Sequence, residues 1–206
     1  MPDGGRVEEL TSATVDLASA TQSRADDIRV TIASGFDDLV RCMVIRGVVW
    51  LGEDEAKDRT DYASLFDPND HSCTHLLVWV GDEPAGTMRL RWNHGFVRFE
   101  RLAVRTRFRS FRLFRRLARF AFDLAAAKGF THANALARLG TEKAWKLVGA
   151  EIVGPELEFH GERAFPMVAT LTGRTCTALA AGLAAAGNMD FEEAIGLPDA
   201  KLMEIA

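Results

Sequence analysis

The stretch FERLAVRTRFRSFRLFRRL, residues 99–117, is the most informative part of this chain, because its pattern changes midway. Its first part completes an alternating run over residues 96–104, which predicts a strand. After Arg105 the apolar period lengthens from two residues to about 3.6, which predicts a helix. The apolar stripe of this helix is Leu113, Leu117, Phe120 and Leu124, and another face carries Arg112, Arg116, Arg119 and Asp123. Lys128-Gly129 is a typical helix end.

The strand-to-helix junction is the best candidate for a ligand site. The first amides of a helix have no intrahelical acceptor and lie at the positive end of its dipole, so phosphates bind there readily. Arg105, Arg107, Arg109 and Arg112 add positive charge at the same place. This combination favours a pyrophosphate.

Strands and helices continue on both sides of the junction. Before it we predict a strand at 27–33, a helix capped by Ser34 and strands at 75–80 and 85–92, and after it a strand at 132–137, a helix at 140–148 and strands at 151–159 and 164–171. In the first helix, one stripe holds Leu39, Met43, Gly47 and Trp50. The order indicates a single α/β domain over residues 27–172. Residues 1–26 are expected to be a tail or loose helix, and residues 173–206 a C-terminal helical appendix.

The charge of the chain is divided sharply. The 206 residues carry a net charge of −4, yet residues 89–119 hold eleven arginines and one acid, Glu100. Such asymmetry indicates a partner with concentrated negative charge, and arginine suits bidentate phosphate contacts better than lysine. Nucleic acid is not expected, because there is little aromatic interleaving and the rest of the chain is acidic.

Composition excludes several other classes. Apolar residues make up 48% and charged residues 26%, which is ordinary globular usage. No apolar run reaches membrane length and the N-terminus has no secretory pattern, so we expect no membrane association and a cytoplasmic protein. Cys42, Cys73 and Cys176 fit neither a disulfide framework nor a zinc cluster. His71 and His75 lack a third ligand, so no metal is expected.

The junction and the elements after it resemble the GNAT acetyltransferase superfamily. The match is carried in order by Leu102-Ala103-Val104, Phe108-Arg109-Ser110, the helix from Phe111, the strand at 131–137 and the segment from Ala144 to Gly149. The resemblance implies a mixed, mostly antiparallel central sheet flanked by helices. It also implies transfer of an acetyl or longer acyl group from acyl-CoA to a primary amine.

The same resemblance implies roles for residues near the junction. The amides of Leu102, Ala103 and Val104 would hold the pantetheine chain, and Glu100 would be the general base, although it could instead pair with a neighbouring arginine. The pyrophosphate would lie against Arg109, Ser110, Phe111, Arg112, Leu113 and Phe114. Two departures stand out: Arg112 and Phe114 occupy positions where the family usually has glycine or alanine. Trp145 stands where many members place a proton-donating tyrosine.

The first half resembles the acyl-homoserine-lactone synthases and N-acyl amino acid synthases. The resemblance rests on Arg46-Gly-Val-Val-Trp50, Phe66-Asp67, 75–78, 86–90 and Arg101-Leu102. It implies that Trp50, Asp67 and Arg89 face the acceptor, although Trp50 could equally be core. It also implies an acyl carrier protein as the alternative donor, whose acidic surface would suit the arginines. In these synthases a glutamate usually stands where this chain has Arg98.

Three functions therefore stay open. The chain is an acyl-CoA N-acyltransferase acting on a small amine, a synthase fed by an acyl carrier protein, or a binding module whose thioester site Arg112 and Phe114 have closed. A cleft open beside Phe114 would support an enzyme. The apolar segment 175–206 can dock on the domain or on another subunit, which leaves a homodimer open.

Overall fold

The computed structural model describes residues 27–53, 65–159 and 161–172. Its strands are β1 (Ile28–Ile32), β2 (Thr74–Val80), β3 (Glu83–Asn93), β4 (Phe96–Val104), β5 (His132–Arg138), β6 (Ala150–Ile152), β7 (Leu157–Phe159) and β8 (Glu162–Thr170). Its α-helices are α1 (Phe36–Gly47), α2 (Phe111–Ala127) and α3 (Glu142–Leu147). A π-helical turn spans Val48–Glu53, and 3-10 turns span Pro68–His71 and Thr106–Phe108. The predictions for 1–26, Cys176 and 173–206 lie outside the described residues.

The strands form one mixed sheet in the order β1-β2-β3-β4-β5-β8-β6, with β7 also paired to β8. All pairs are antiparallel except β4 with β5. These two strands are joined through α2, since parallel neighbours need a crossover connection. The predicted fold class, a mostly antiparallel α/β sheet flanked by helices, is confirmed.

Helix α2 covers one face of the sheet with the predicted stripe. Leu113, Leu117, Phe120 and Leu124 are all buried, and the ring of Phe122 lies 5.3 Å from that of Phe99 on β4. Burial of each large apolar side chain stabilises the fold by roughly 1.5–3 kcal/mol. The prediction for Asp123 is wrong, because this residue is buried, whereas Arg112, Arg116 and Arg119 are exposed as expected.

Helix α1 packs on the opposite face, and two predictions about it are wrong. The N-cap is Gly35 rather than Ser34, and no side chain caps the helix. The buried residues are Cys42, Ile45 and Arg46, with Val49 in the following turn, rather than the predicted stripe. The helix turns this face inward because Cys42, Ile45 and Val49 pack against Leu77 and Ala103 of the sheet.

The predicted strand at 151–159 is two short strands, β6 and β7. Pro155 lies between them, and it cannot donate a backbone hydrogen bond to a neighbouring strand. Both short strands pair instead with separate parts of the long strand β8. Among the helices described, none is long and apolar enough to cross a membrane.

Two irregularities of β4 position the site. Strands β4 and β5 pair only from Val97 with Ala133 to Phe99 with Ala135, although both strands continue further, so they splay apart after Phe99. A bulge inserts one residue into β4 between the pairs Arg89–Glu100 and Thr87–Ala103, and Arg101 in it has a φ of 53°. The opposing backbone comes very close here, since a Cβ at Gly86 would lie 2.8 Å from the Ala103 carbonyl oxygen.

Candidate functional site

A cavity of about 790 Å³ opens where β4 and β5 separate. Because side chains alternate along a strand, its two sides differ in chemistry. The apolar side faces α2 and contains Met88, Phe99, Leu102, Phe114 and Trp145. The charged side faces the α1 layer and contains Asp67, Arg89, Arg91, Arg98, Glu100 and Arg101. One cavity thus has an apolar side and a side with many charged groups.

Most of the predicted site residues line this cavity. They are Trp50, Asp67, Arg89, Glu100, Leu102, Ala103, Val104, Arg109, Ser110, Phe111 and Phe114. Two do not line it: Arg112 is exposed on the surface of α2, and the side chain of Leu113 is buried in the core. The tertiary structure therefore brings together residues that are 64 positions apart, from Trp50 to Phe114.

The start of α2 forms one end of the cavity. Ser110 is the N-cap, and its hydroxyl accepts a hydrogen bond from the Leu113 amide at 3.2 Å. By helix geometry, the amides of Phe111 and Arg112 have no intrahelical acceptor. Arg109 Nε donates to the Val104 carbonyl oxygen at 2.9 Å, which ties the helix start to the end of β4. The arrangement suits an anion.

Phe114 and Trp145 form a wall of the cavity rather than filling it. Their rings meet edge to face with centroids 5.0 Å apart, and Trp145 also stacks on Phe99 at 6.5 Å. Trp145 is buried and Phe114 is half-buried. The bulky residue that replaces a family glycine is thus packed against the tryptophan, and the cleft beside it stays open.

Arg89 is the centre of the charged side. It is 2% exposed, and it donates from Nε and Nη2 to Glu100 Oε2, from Nη1 to Asp67 Oδ2 at 3.0 Å, and from Nη1 to Asp70 Oδ1 at 2.9 Å. Arg101 Nη2 donates to the same Asp67 oxygen at 2.6 Å, with its guanidinium 5.8 Å from the Trp50 ring centroid. Glu100 therefore forms an ion pair with Arg89, which is the alternative that the sequence left open.

A second layer of charges lies behind Arg89. The side chain of Arg46 is fully buried and donates to Asp70 Oδ1 at 2.8 Å. Its Nη2 lies 3.0 Å from His75 Nδ1, and His75 Nε2 lies 2.9 Å from the Asp70 carbonyl oxygen. Because a guanidinium only donates, Nδ1 accepts and the hydrogen of the neutral ring belongs on Nε2.

These contacts shift several pKa values. Burial tends to raise the pKa of Asp70, but the backbone hydrogen bond from Asp67 and the bond from Arg46 outweigh it, so the pKa falls below its usual range. The pKa of Asp67 is lowered too, because bonds from Arg101, Asn69 and Arg89 overcome its burial. Burial lowers the pKa of His75, against the opposing effect of its bond to Asp70. Asp67 and Asp70 thus stay ionised and His75 stays neutral at pH 7.

The sequence patterns do not predict that Arg91 and Arg98 belong to the charged side, or that Asp70 and His75 lie in the layer behind it. The available signal was the alternation itself, since Arg89 and Arg91 on one strand and Arg98 and Glu100 on the next follow a two-residue period across a tight turn. Asp70 gave no such signal, because its partners are far away in the chain.

Comparison with known proteins identifies the family. The model of the acetyltransferase (GNAT) family matches residues 37–148. The chain belongs to the GNAT family. No curated protein matches it by sequence. The GNAT resemblance of the sequence is therefore confirmed.

Solved GNAT-like structures share the fold at low identity. A proposed N-acetyltransferase from Lactobacillus plantarum is 21% identical with a TM-score of 0.62, covering 70% of this chain and 98% of that one. BjaI, a CoA-dependent acyl-homoserine lactone synthase solved with SAM and isopentyl-CoA, is 11% identical with a TM-score of 0.58, covering 82% and 96%. FeeM, an N-acyl amino acid synthase from uncultured soil microbes, is 12% identical with a TM-score of 0.55, covering 71% and 92%.

Proposed function

We propose that this GNAT protein transfers an acyl group from acyl-CoA, acetyl-CoA or a longer homologue, to the nitrogen of a small primary amine. The observation that carries the proposal is the single cavity that joins the splayed edge of β4 to a charged side. A donor and an acceptor can therefore meet within one site. We also propose that the protein is cytoplasmic and that the reaction uses no metal ion.

The residues present fit the donor. Beyond Phe99, β4 no longer pairs with β5, so its backbone is available to the amides of a pantetheine chain at Leu102, Ala103 and Val104. The pyrophosphate would lie at the start of α2, held by Arg109, Ser110 and the first amides of the helix. Leu113 contributes least, because its amide already bonds Ser110. When bound, the donor supplies a thioester carbonyl as the electrophile.

Glu100 is proposed as the general base of the charged side. Its Oε2 accepts from Arg89, which holds the carboxylate in place, and Arg98 Nε lies 3.6 Å from Oε1. The group takes a proton from the attacking amine, directly or through a water. Trp50, Asp67 and Arg89 shape the acceptor pocket. The amine nitrogen forms the new bond to the carbonyl carbon as the carbon–sulfur bond breaks. CoA leaves as its thiolate, and the proton taken by Glu100 passes to this thiolate or to solvent.

Donor binding is tested by thermal unfolding with CoA. A ligand at 100 times its Kd stabilises the folded state by about 2.7 kcal/mol, so CoA should raise the Tm of the wild type. Arg109→Ala should remove most of this rise, while Arg119→Ala, at an exposed position further along α2, should leave it unchanged. No rise with CoA or acyl-CoA in the wild type would contradict the proposal.

The role of Glu100 is tested by thiol release from acyl-CoA in the presence of amines. Glu100→Gln should lower kcat by about 10²–10⁴-fold with little change in CoA binding. Glu162→Gln is the matched control, because Glu162 also lines the cavity and pairs with an arginine, Arg138, at 2.5 Å. A kcat for Glu100→Gln within threefold of this control would contradict the base assignment.

An acyl carrier protein is the second candidate donor. One specific observation favours it: Arg112, Arg115, Arg116 and Arg119 are exposed along α2, the helix that starts at the cavity. An acidic carrier docked there would deliver its pantetheine arm to the cleft. The triple variant Arg115→Glu, Arg116→Glu, Arg119→Glu should abolish turnover of acyl carrier protein and spare turnover of acyl-CoA. Equal turnover of the carrier by variant and wild type would exclude this donor route.

A further inference from the structure

We propose that Arg91 and Arg98 form a subsite for the carboxylate of the acceptor, so that the acceptor amine is an amino acid. The inference rests on the proposed acyl transfer and adds the chemical class of the acceptor. It comes from an arrangement of charges on β3 and β4 that the ion pairs among residues 27–53, 65–159 and 161–172 do not explain.

The two arginines stand directly opposite each other. Arg91 on β3 pairs in register with Arg98 on β4, two residues from the pair of Arg89 with Glu100. Residues two apart on a strand share a face, so these four side chains form a square on one face of the sheet. All four line the cavity.

The positive charge of this pair has little compensation. Like charges directly opposite on neighbouring strands destabilise a sheet. Among the described residues the Arg91 guanidinium makes no hydrogen bond or ion pair, and Arg98 has one long contact, 3.6 Å to Glu100 Oε1. Glu100 Oε2 already bonds Arg89, and Asp67 bonds both Arg89 and Arg101. The charged side thus lines the cavity with four arginines and two carboxylates.

A carboxylate on the acceptor would complete the arrangement. Guanidinium groups bind carboxylates through paired hydrogen bonds, and two arginines facing each other can hold one between them. Arg98 and Glu100 are separated by about 7 Å along the strand. Their long side chains can therefore contact the two ends of one small amino acid, Arg98 its carboxylate and Glu100 its amine. The carboxylate lies with Arg91 and Arg98, and the amine points to Glu100. An amine without a carboxylate would leave the positive charges of Arg91 and Arg98 without a counter-charge from the acceptor.

The test compares amino acids with their carboxamides, such as leucine and leucinamide, as acceptors with acetyl-CoA and octanoyl-CoA as donors. The wild type should acylate the acid in preference to the amide. Arg91→Gln and Arg98→Gln should each raise the KM for the acid by about 10- to 100-fold, with kcat within threefold and the amide unaffected. Arg41→Gln, at an exposed position of α1 away from the cavity, should change neither.

Two results would overturn the inference while leaving acyl transfer intact: equal use of acid and amide by the wild type, or unchanged KM in both arginine variants. If no amine is acylated, the proposed function fails, and titration calorimetry of the amino acids in the presence of CoA then decides the subsite. Binding that is lost in Arg91→Gln and Arg98→Gln would support the subsite. Absence of amino acid binding in the wild type would reject it.

Discussion

Asp70 joins the fold to the candidate site. Its carboxylate accepts hydrogen bonds from Arg46, Arg89 and the Asp67 backbone, and only 2% of the residue is exposed. Both arginines are themselves buried, so each relies on this carboxylate to offset the loss of water. Asp70 therefore holds Arg89 in place, and through Arg89 it fixes Glu100 and Asp67 in the cavity.

Replacement of Asp70 should be costly for this reason. Asp70→Asn leaves two buried guanidinium groups without their shared charge, and we expect a loss of about 3–5 kcal/mol in the free energy of unfolding. Asp82→Asn, at an exposed turn, should change it by less than about 0.5 kcal/mol. Denaturant unfolding of both variants measures the difference. A loss for Asp70→Asn no larger than that of the control would show that the buried network contributes little.

The first turn of helix α2 combines an observed helix cap with the proposed pyrophosphate site, and experiment can separate the two. The Ser110 hydroxyl caps the helix, while the neighbouring amides are proposed to bind pyrophosphate. Stability depends on a capping oxygen, whereas anion binding depends on the absence of negative charge. A substitution that keeps the first property and reverses the second distinguishes them.

Ser110→Ala should lower the free energy of unfolding by about 1 kcal/mol through loss of the cap. Ser110→Asp should keep most of the stability, because aspartate also caps helices, but it should weaken CoA binding at least tenfold by charge repulsion. Ser34→Ala is the control, since Ser34 is exposed and does not cap α1. Denaturant unfolding and CoA titration give the two readouts; undiminished CoA affinity in Ser110→Asp would contradict the pyrophosphate site.

The response of the whole molecule to acid follows from the buried network. The pKa of His75 lies below its usual 6.5 in the folded state, so the unfolded chain takes up this proton first as the pH falls. Stability contributed by neutral His75 is complete above about pH 6.5 and declines below it. Asp67 and Asp70 have lowered pKa values, so their contribution is lost below the usual 3.8. All three lowered pKa values therefore make the folded state less stable as the pH falls.

Unfolding free energy should therefore fall between pH 7.5 and 5.5, with His75 contributing at most about 1.4 kcal/mol per pH unit. His75→Gln should remove that contribution, because glutamine can accept from Arg46 and donate to the Asp70 carbonyl without titrating. His94→Gln, at an exposed turn, should keep the wild-type slope. The same slope in His75→Gln as in the wild type would exclude His75 as its source.

Local patterns were enough to predict most of the fold. The apolar stripe of α2 and the meander of β2, β3 and β4 follow from periodicity, because a side-chain period of two or 3.6 reflects which face is buried. The family follows from the resemblance of the motifs at the strand-to-helix junction, which the family model confirms. The predicted buried face of α1 was wrong, because packing against the sheet determines which face is buried. Cys42, Ile45 and Val49 turn inward there. The prediction also failed at Pro155, which divides a predicted strand.

The sequence alone is enough to predict the family, the positive segment at 89–119 and most residues at the proposed donor end of the cavity. Those residues are neighbours in the chain, so one strand and one helix cap place them. Three features became visible only in the folded chain: Phe114 leaves the cleft open, Asp70 holds Arg46 and Arg89 together, and Arg91 faces Arg98. These facts depend on strand register and on contacts between distant segments, which no local pattern specifies.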